Sequence, residues 1–126
     1  IEMSEVVFYR CETCGNIVAL IKNGGGPLAC CGQAMTELSA NSTDAAQEKH
    51  VPVVTKEDGK IKVAVGSTLH PMLPEHYIEW VALVTEDRVA IRFLKPGEEP
   101  KVEFCEMPAG IVYEYCNLHG LWMAKF

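Results

Sequence analysis

The 126-residue chain contains no apolar run approaching the roughly 20 residues that a bilayer-spanning helix needs. It also lacks any run of basic residues. With 11 Lys and Arg against 17 Asp and Glu, its net charge is −6. That balance argues against binding nucleic acid or anionic membranes, both of which call for a basic field. The opening IEMSEVVFYR has no basic segment followed by an apolar one, so secretion is not expected. Histidine is scarce: His50, His70, His76 and His119 make up the full set of 4. The remaining composition, 48% hydrophobic and 22% charged, is that of a globular protein. The length allows one core of ordinary size and at most a small satellite unit.

Against these scarcities stand 6 cysteines. Without a secretion signal they point to metal binding or redox chemistry rather than to a disulfide framework. Cys11 and Cys14 form a C-x-x-C followed by Gly15, a knuckle in which both sulfurs face the same way. Cys30 and Cys31 are adjacent, and neighbouring residues rarely reach unstrained disulfide geometry, whereas two adjacent thiolates can serve one metal. Four thiolates in two pairs suit a tetrahedral Zn or a single Fe. A structural zinc knuckle is the plain alternative, although zinc ribbons usually close with a second C-x-x-C. Residues 1–37 thus read as a small hairpin-rich unit, with Asn23-Gly24-Gly25-Gly26-Pro27 as a turn, too small to fold without a metal.

Ser39–Asp44 reads as a polar linker, with Ser42 or Thr43 capping a short helical turn that runs to Lys49. From there to the C-terminus the pattern is β. Val51–Val54 starts a strand, Glu57-Asp58-Gly59-Lys60 makes a hairpin turn, and Ile61, Val63 and Val65 alternate. A Pro-rich loop at His70–Pro74 precedes a long apolar strand over Tyr77–Thr85. Alternating strands follow around Val89–Phe93 and Val102–Phe104, and Ile111–Tyr115 reads as the last one. Short strands at about ten-residue spacing predict an immunoglobulin-like antiparallel β-sandwich over residues 38–126. Cys105, at a strand end with no cysteine nearby, reads as a small hydrophobe of the fold.

Every histidine falls at a strand end or in a loop, where ligands are presented. Cys116 and His119 lie three residues apart just past the predicted last strand. Neutral imidazoles and a thiolate suit Fe, Cu or Zn, with the sulfur favouring a redox metal. One arrangement is a blue-copper electron-transfer site, in which Cys116, His119 and Met123 form a C-x2-H-x3-M loop completed by one upstream His. That arrangement leaves two histidines and Glu48-Lys49-His50 without a role. A zinc-stapled binding module is a further alternative. Glu114, two residues before Cys116 and on the same strand face, stands either near the thiolate or in solvent.

Together the motifs CETCGN with CCG, EKHVPV, HPM with HYIEW, and YCNLHGLW resemble the desulfoferrodoxin family, the two-iron superoxide reductases, over nearly the whole chain. The resemblance implies one Fe held by Cys11, Cys14, Cys30 and Cys31. It implies a second Fe with His50, His70, His76 and His119 equatorial and Cys116 axial, open on the face opposite sulfur. The implied activity is one-electron reduction of superoxide to hydrogen peroxide without O2 release. Lys49 would guide the anion and donate hydrogen bonds at the site, and Glu48 would close the open position after turnover. A cytoplasmic homodimer supplied with electrons by rubredoxin is the implied setting.

Overall fold

The computed structural model describes residues 6–126. The first part of the strand expected from residue 4 therefore lies outside the described residues. Internal contacts divide the chain between Ser39 and Ala40. No helix among the described residues is long and apolar enough to cross a membrane.

In the N-terminal unit, β1 (Val7–Arg10) pairs antiparallel with β2 (Ile17–Leu20) on one side. A short β5 (Thr36–Glu37) lies on its other side. Between them, β3 (Ala29–Cys30) and β4 (Gln33–Ala34) form a separate hairpin in which Cys30 faces Gln33. Its two-residue turn is Cys31-Gly32, with φ of 52° and 72°. Positive φ at both positions is the type I′ geometry that matches strand twist. The adjacent cysteines are thereby separated in role: Cys30 ends a strand, and Cys31 occupies the first turn position. The second glycine-like requirement falls on Gly32, which meets it without a Cβ penalty.

The larger unit begins with a single helical turn, α1 (Gln47–His50). Ala46 is its N-cap and no side chain caps it, so the expected cap at Ser42 or Thr43 is not formed. Seven strands follow: β6 (Pro52–Glu57), β7 (Lys60–Val65), β8 (Ile78–Val84), β9 (Val89–Phe93), β10 (Lys101–Cys105), β11 (Ile111–Cys116) and β12 (Gly120–Lys125). They make a three-stranded sheet in the order β10-β7-β6 and a four-stranded sheet in the order β12-β11-β8-β9. Alternation in β7 sends Ile61, Val63 and Val65 inward. There they join Phe104 of β10, Val81 and Leu83 of β8, and Val112 of β11 in one core. The sandwich expected from strand spacing is thus the fold observed.

Three details depart from the sequence expectation. β11 is not the last strand, because the apolar run Leu121-Trp122-Met123-Ala124 carries no alternation to mark it, yet it pairs along the whole of β11. His119 consequently sits in the turn of a hairpin. Cys105 is exposed, not packed; it follows buried Phe104 on β10 and so faces the opposite way. Finally, β8 and β11 slip register: Tyr115 faces Trp80 while Cys116 faces Ile78, leaving Glu79 as an extra residue. Such a bulge re-aims side chains. Here Ile78 and Cys116 turn into the core, while Trp80 and Tyr115 stack on the other face at 5.8 Å.

The turn after β7 packs directly on the segment that carries His50. A Cβ on Gly66 would lie 2.7 Å from the Glu48 carbonyl oxygen and 3.0 Å from that of Val51. The same Glu48 oxygen accepts the Thr68 N–H at 2.9 Å and the Ser67 hydroxyl at 3.2 Å. Gly66→Ala is expected to destabilise this unit by about 1–3 kcal/mol through overpacking against backbone that cannot rotate away. Denaturant unfolding at matched metal content measures it.

Candidate metal centres

In the N-terminal unit the four sulfurs of Cys11, Cys14, Cys30 and Cys31 lie within 4.8 Å of one another. Cys14 Sγ is 3.6 Å from Cys30 Sγ, and Cys30 Sγ is 3.9 Å from Cys31 Sγ. A tetrahedral ion with metal–sulfur bonds of about 2.3 Å sets its sulfurs about 3.8 Å apart, so the spacing fits one metal. The Cys14 main-chain N–H points at Cys11 Sγ at 3.5 Å. This N–H is the main reason that the Cys11 thiol is lowered to about 6. Cys31 is instead pushed up to about 12, chiefly by its contacts with the Cys14 and Cys30 sulfurs. Crowded thiols of this kind cannot all ionise until a cation joins them.

In the larger unit, one nitrogen from each of the four histidines and the Cys116 sulfur also lie within 4.8 Å of one another. His50 comes from the end of α1, and His70 and His76 from the Pro-rich connection between β7 and β8. Cys116 ends β11, and His119 occupies the turn before β12. Their ring centroids trace a near-square. The sides are 4.7 Å (His50–His70), 4.6 Å (His70–His76), 5.1 Å (His76–His119) and 4.8 Å (His119–His50). The His50–His76 diagonal is 6.5 Å. Cys116 Sγ stands 3.4 Å from His70 Nε2 and 3.8 Å from His119 Nδ1.

The protonation pattern shows what belongs in the middle. His50 Nδ1 is 2.7 Å from the Ala46 carbonyl and His70 Nδ1 is 2.7 Å from the Pro71 carbonyl. A carbonyl only accepts, so in the neutral rings both Nδ1 atoms carry the hydrogen and both Nε2 atoms are bare. These bare nitrogens face each other at 3.2 Å, and His50 Nε2 lies 3.1 Å from His119 Nδ1. His76 Nε2 is buried with no hydrogen-bond partner. Lone pairs converging in this way are repulsive until a cation sits among them. With metal–nitrogen bonds of about 2.1 Å, adjacent ligands are about 3.0 Å apart in a square array and about 3.4 Å apart in a tetrahedron. The observed separations therefore favour the square.

Burial favours the neutral form of three of the imidazoles. His70 is lowered to about 4, mainly by desolvation. His50 and His76 are lowered by the same cause, with smaller contributions from neighbouring rings and from the Lys49 charge. Burial raises the Cys116 thiol, while the main-chain N–H groups of Leu118 and His119 pull it down and the carboxylates of Glu114 and Glu79 push it up. Trp122 walls the site. Its ring stacks on His50 at 4.8 Å, and its Nε1 donates to the His119 carbonyl at 3.1 Å.

The copper-loop reading does not survive this geometry. Alternation on β12 points buried Trp122 at His50 and hence Met123 to the opposite face. All four histidines gather around Cys116, where a copper loop calls for two. Of the two flanking residues, Lys49 is exposed and its charge is felt at His50 and His76. Glu48 is also exposed, and among the described residues its carboxylate makes no ion pair or hydrogen bond; its carbonyl is the anchored group. The wall formed by Trp122 was not anticipated, because its strand was not.

Glu114 settles between its two expected placements on the buried side. It is fully buried on the inner face of β11, opposite Trp122. Both carboxyl oxygens lack a hydrogen-bond partner, and burial raises the group well above its usual range.

The same chain is similar to known proteins along its length. Residues 42–125 match the family model described as desulfoferrodoxin, and residues 4–38 match the one described as desulfoferrodoxin, N-terminal domain. A desulfoferrodoxin from Desulfarculus baarsii is 50% identical over 118 residues, covering 93% of this chain and 94% of that protein. One from Nitratidesulfovibrio vulgaris is 48% identical with the same coverage of both. Among solved structures, the superoxide reductase from Treponema pallidum aligns with a TM-score of 0.76 at 35% identity, covering 95% of this chain and 98% of that one.

A carboxyl kept protonated in the fold but ionised in the unfolded chain contributes stability below its unfolded pKa and loses it as pH rises. In metal-free protein, Glu114→Gln is therefore expected to gain stability over the parent as pH rises above about 4.5, by up to about 1.4 kcal/mol per pH unit. Paired urea titrations at several pH values follow the difference.

Proposed function

The chain belongs to the desulfoferrodoxin family, and on that premise we propose that it is a superoxide reductase, reducing superoxide to hydrogen peroxide by one electron at an Fe held in the four-histidine, one-cysteine site. The observation that carries this reading is the near-square of imidazole rings, with the bare Nε2 atoms of His50 and His70 facing each other and the Cys116 sulfur off to one side. In it, His50, His70 and His76 would bind through Nε2, His119 through Nδ1, and Cys116 through its thiolate. The four cysteines of the N-terminal unit, residues 1–37 in this division, would hold the second Fe, leaving 38–126 as the reductase domain.

Bound iron would supply a one-electron couple, with the thiolate raising the electron density at the metal. The protein's own groups do the rest. Four neutral imidazoles leave the site cationic, which suits an anionic substrate despite the chain's net charge of −6. Lys49 adds a positive charge close enough to be felt at His50 and His76. It would steer superoxide in and donate hydrogen bonds where negative charge grows. Glu48, two positions before buried His50 but exposed, would reach the open position only by swinging its side chain inward. A rubredoxin-like donor and a second copy of the chain complete the proposal, with the cytoplasm as its setting.

Metal analysis is expected to give two Fe per chain, with two distinct sets of sulfur-to-iron absorption bands. Superoxide added to the reduced protein should bring up only the set from the second site, with no O2 released. One copper per chain, or zinc alone, would sink the assignment.

Lys49→Ala is expected to slow the reaction with superoxide, most strongly at low salt, where steering is least screened. Pulse radiolysis across an ionic-strength series measures this, and an unchanged rate at every salt concentration refutes the steering role.

A further inference from the structure

His76 differs from its neighbours in how it is held. His50 and His70 are oriented through their own rings, each with Nδ1 on a main-chain carbonyl. The ring of His76 has no hydrogen bond to another described residue, and its Nε2 is buried and bare. Its position must therefore come from its backbone. Part of the backbone hold is local, since His76 and Leu73 exchange N–H to carbonyl bonds at 2.9 and 3.0 Å. The rest comes from across the site. Asn117, between Cys116 and His119, accepts the Tyr77 N–H on Oδ1 at 2.9 Å and donates from Nδ2 to the Glu75 carbonyl at 3.0 Å. Its own N–H donates to the Tyr77 carbonyl at 3.2 Å.

We propose that Asn117 is a positioning residue: its side-chain amide clamps the peptide groups on both sides of His76 and fixes that imidazole relative to Cys116 and His119. The inference rests on the metal-site assignment above, but on no particular metal or reaction. An amide is the side chain that fits, because the clamp needs one acceptor and one donor about two bonds apart, facing a carbonyl and an N–H of one strand-like segment. Aspartate offers only acceptors and keeps half the clamp; alanine keeps none. The Asn117 main-chain bond to Tyr77 persists in either variant, so the segment should stay folded while its side-to-side placement loosens. Residues that orient metal ligands from outside typically change metal affinity or activity 10–100-fold when replaced, which sets the expected scale at about that range.

The test compares Asn117→Ala and Asn117→Asp with the parent, each loaded with Fe(II). Asn117→Ala should release iron from the histidine site to a chelator about 10–100-fold faster and, after chemical oxidation to Fe(III), show a shifted sulfur-to-iron band at that site. The four-cysteine band in the same chain should be unmoved, which serves as the internal control. Asn117→Asp should lie between. In metal-free protein, the Tyr77 amide should lose hydrogen-exchange protection in Asn117→Ala and keep most of it in Asn117→Asp, a readout independent of superoxide chemistry. Unchanged iron release and an unchanged band in both variants would overturn the clamp, as would equal loss of both metals. If the parent itself fails to reduce superoxide, the functional reading falls while these measurements still decide the role of Asn117. Should Asn117→Ala not fold, the release rate and Tyr77 exchange of Asn117→Asp decide alone.

Discussion

The larger unit is organised around a repulsion that it does not relieve by itself. His50 Nε2 lies 3.1 Å from His119 Nδ1 and 3.2 Å from the bare Nε2 of His70, and the buried Nε2 of His76 has no partner. A thiol closes the group from one side at 3.4 Å. Each of these groups sits where it does because something else holds it: carbonyls for His50 and His70, a hairpin for Cys116 and His119, and the main chain for His76. The fold spends its rigidity on keeping lone pairs together. A cation converts that arrangement from a cost into the strongest set of contacts in the unit.

The sandwich supplies the rigidity from a distance. The ligands come from four places in the chain, and of the elements beside them β7, β8 and β11 send their inward residues into the common core. His50 follows the segment on which Gly66, Ser67 and Thr68 close. The same turn continues to His70, whose N–H binds the Val65 carbonyl at 2.7 Å. Cys116 faces inward with Val112 and Glu114 by the alternation of β11, and the bulge at Glu79 turns Ile78 inward to meet it. Without that extra residue, Ile78 could not face Cys116 while Trp80 faces Tyr115. The buried, unpaired Glu114 is the discordant element. It places a buried carboxyl, raised well above its usual range, two residues from a thiol that must ionise.

Much of this was legible in the residues because metal ligands leave a sparse signal. Four histidines and two cysteine pairs in a short chain can be counted, and strand alternation gave the sandwich. The adjacent cysteines were informative for the same reason: a disulfide was sterically poor, so a shared metal was the simpler account. What stayed hidden depended on through-space partners. Trp122 lies in an all-apolar run with no period-2 pattern, so neither its strand nor its stacking on His50 could be anticipated. Asn117 carried no signal of its own, since its partners are 40 and 42 positions away. Glu114 could be placed on the correct face but not assigned to water or core, because alternation fixes direction and not depth.

The two centres illustrate different solutions to ordering a metal site. In the N-terminal unit only Val6, Phe8 and Cys11 are buried among the described residues, and a turn conformation at Cys31-Gly32 aims the second cysteine pair. Loss of the metal there removes the main reason for the unit to stay folded. In the larger unit a core of aliphatic side chains is present independently of any ion, so ligand placement can be tuned without risking the fold. That separation is what makes a square of imidazoles attainable. Bare nitrogens about 3 Å apart repel one another, and only a scaffold stable on other grounds can hold them so.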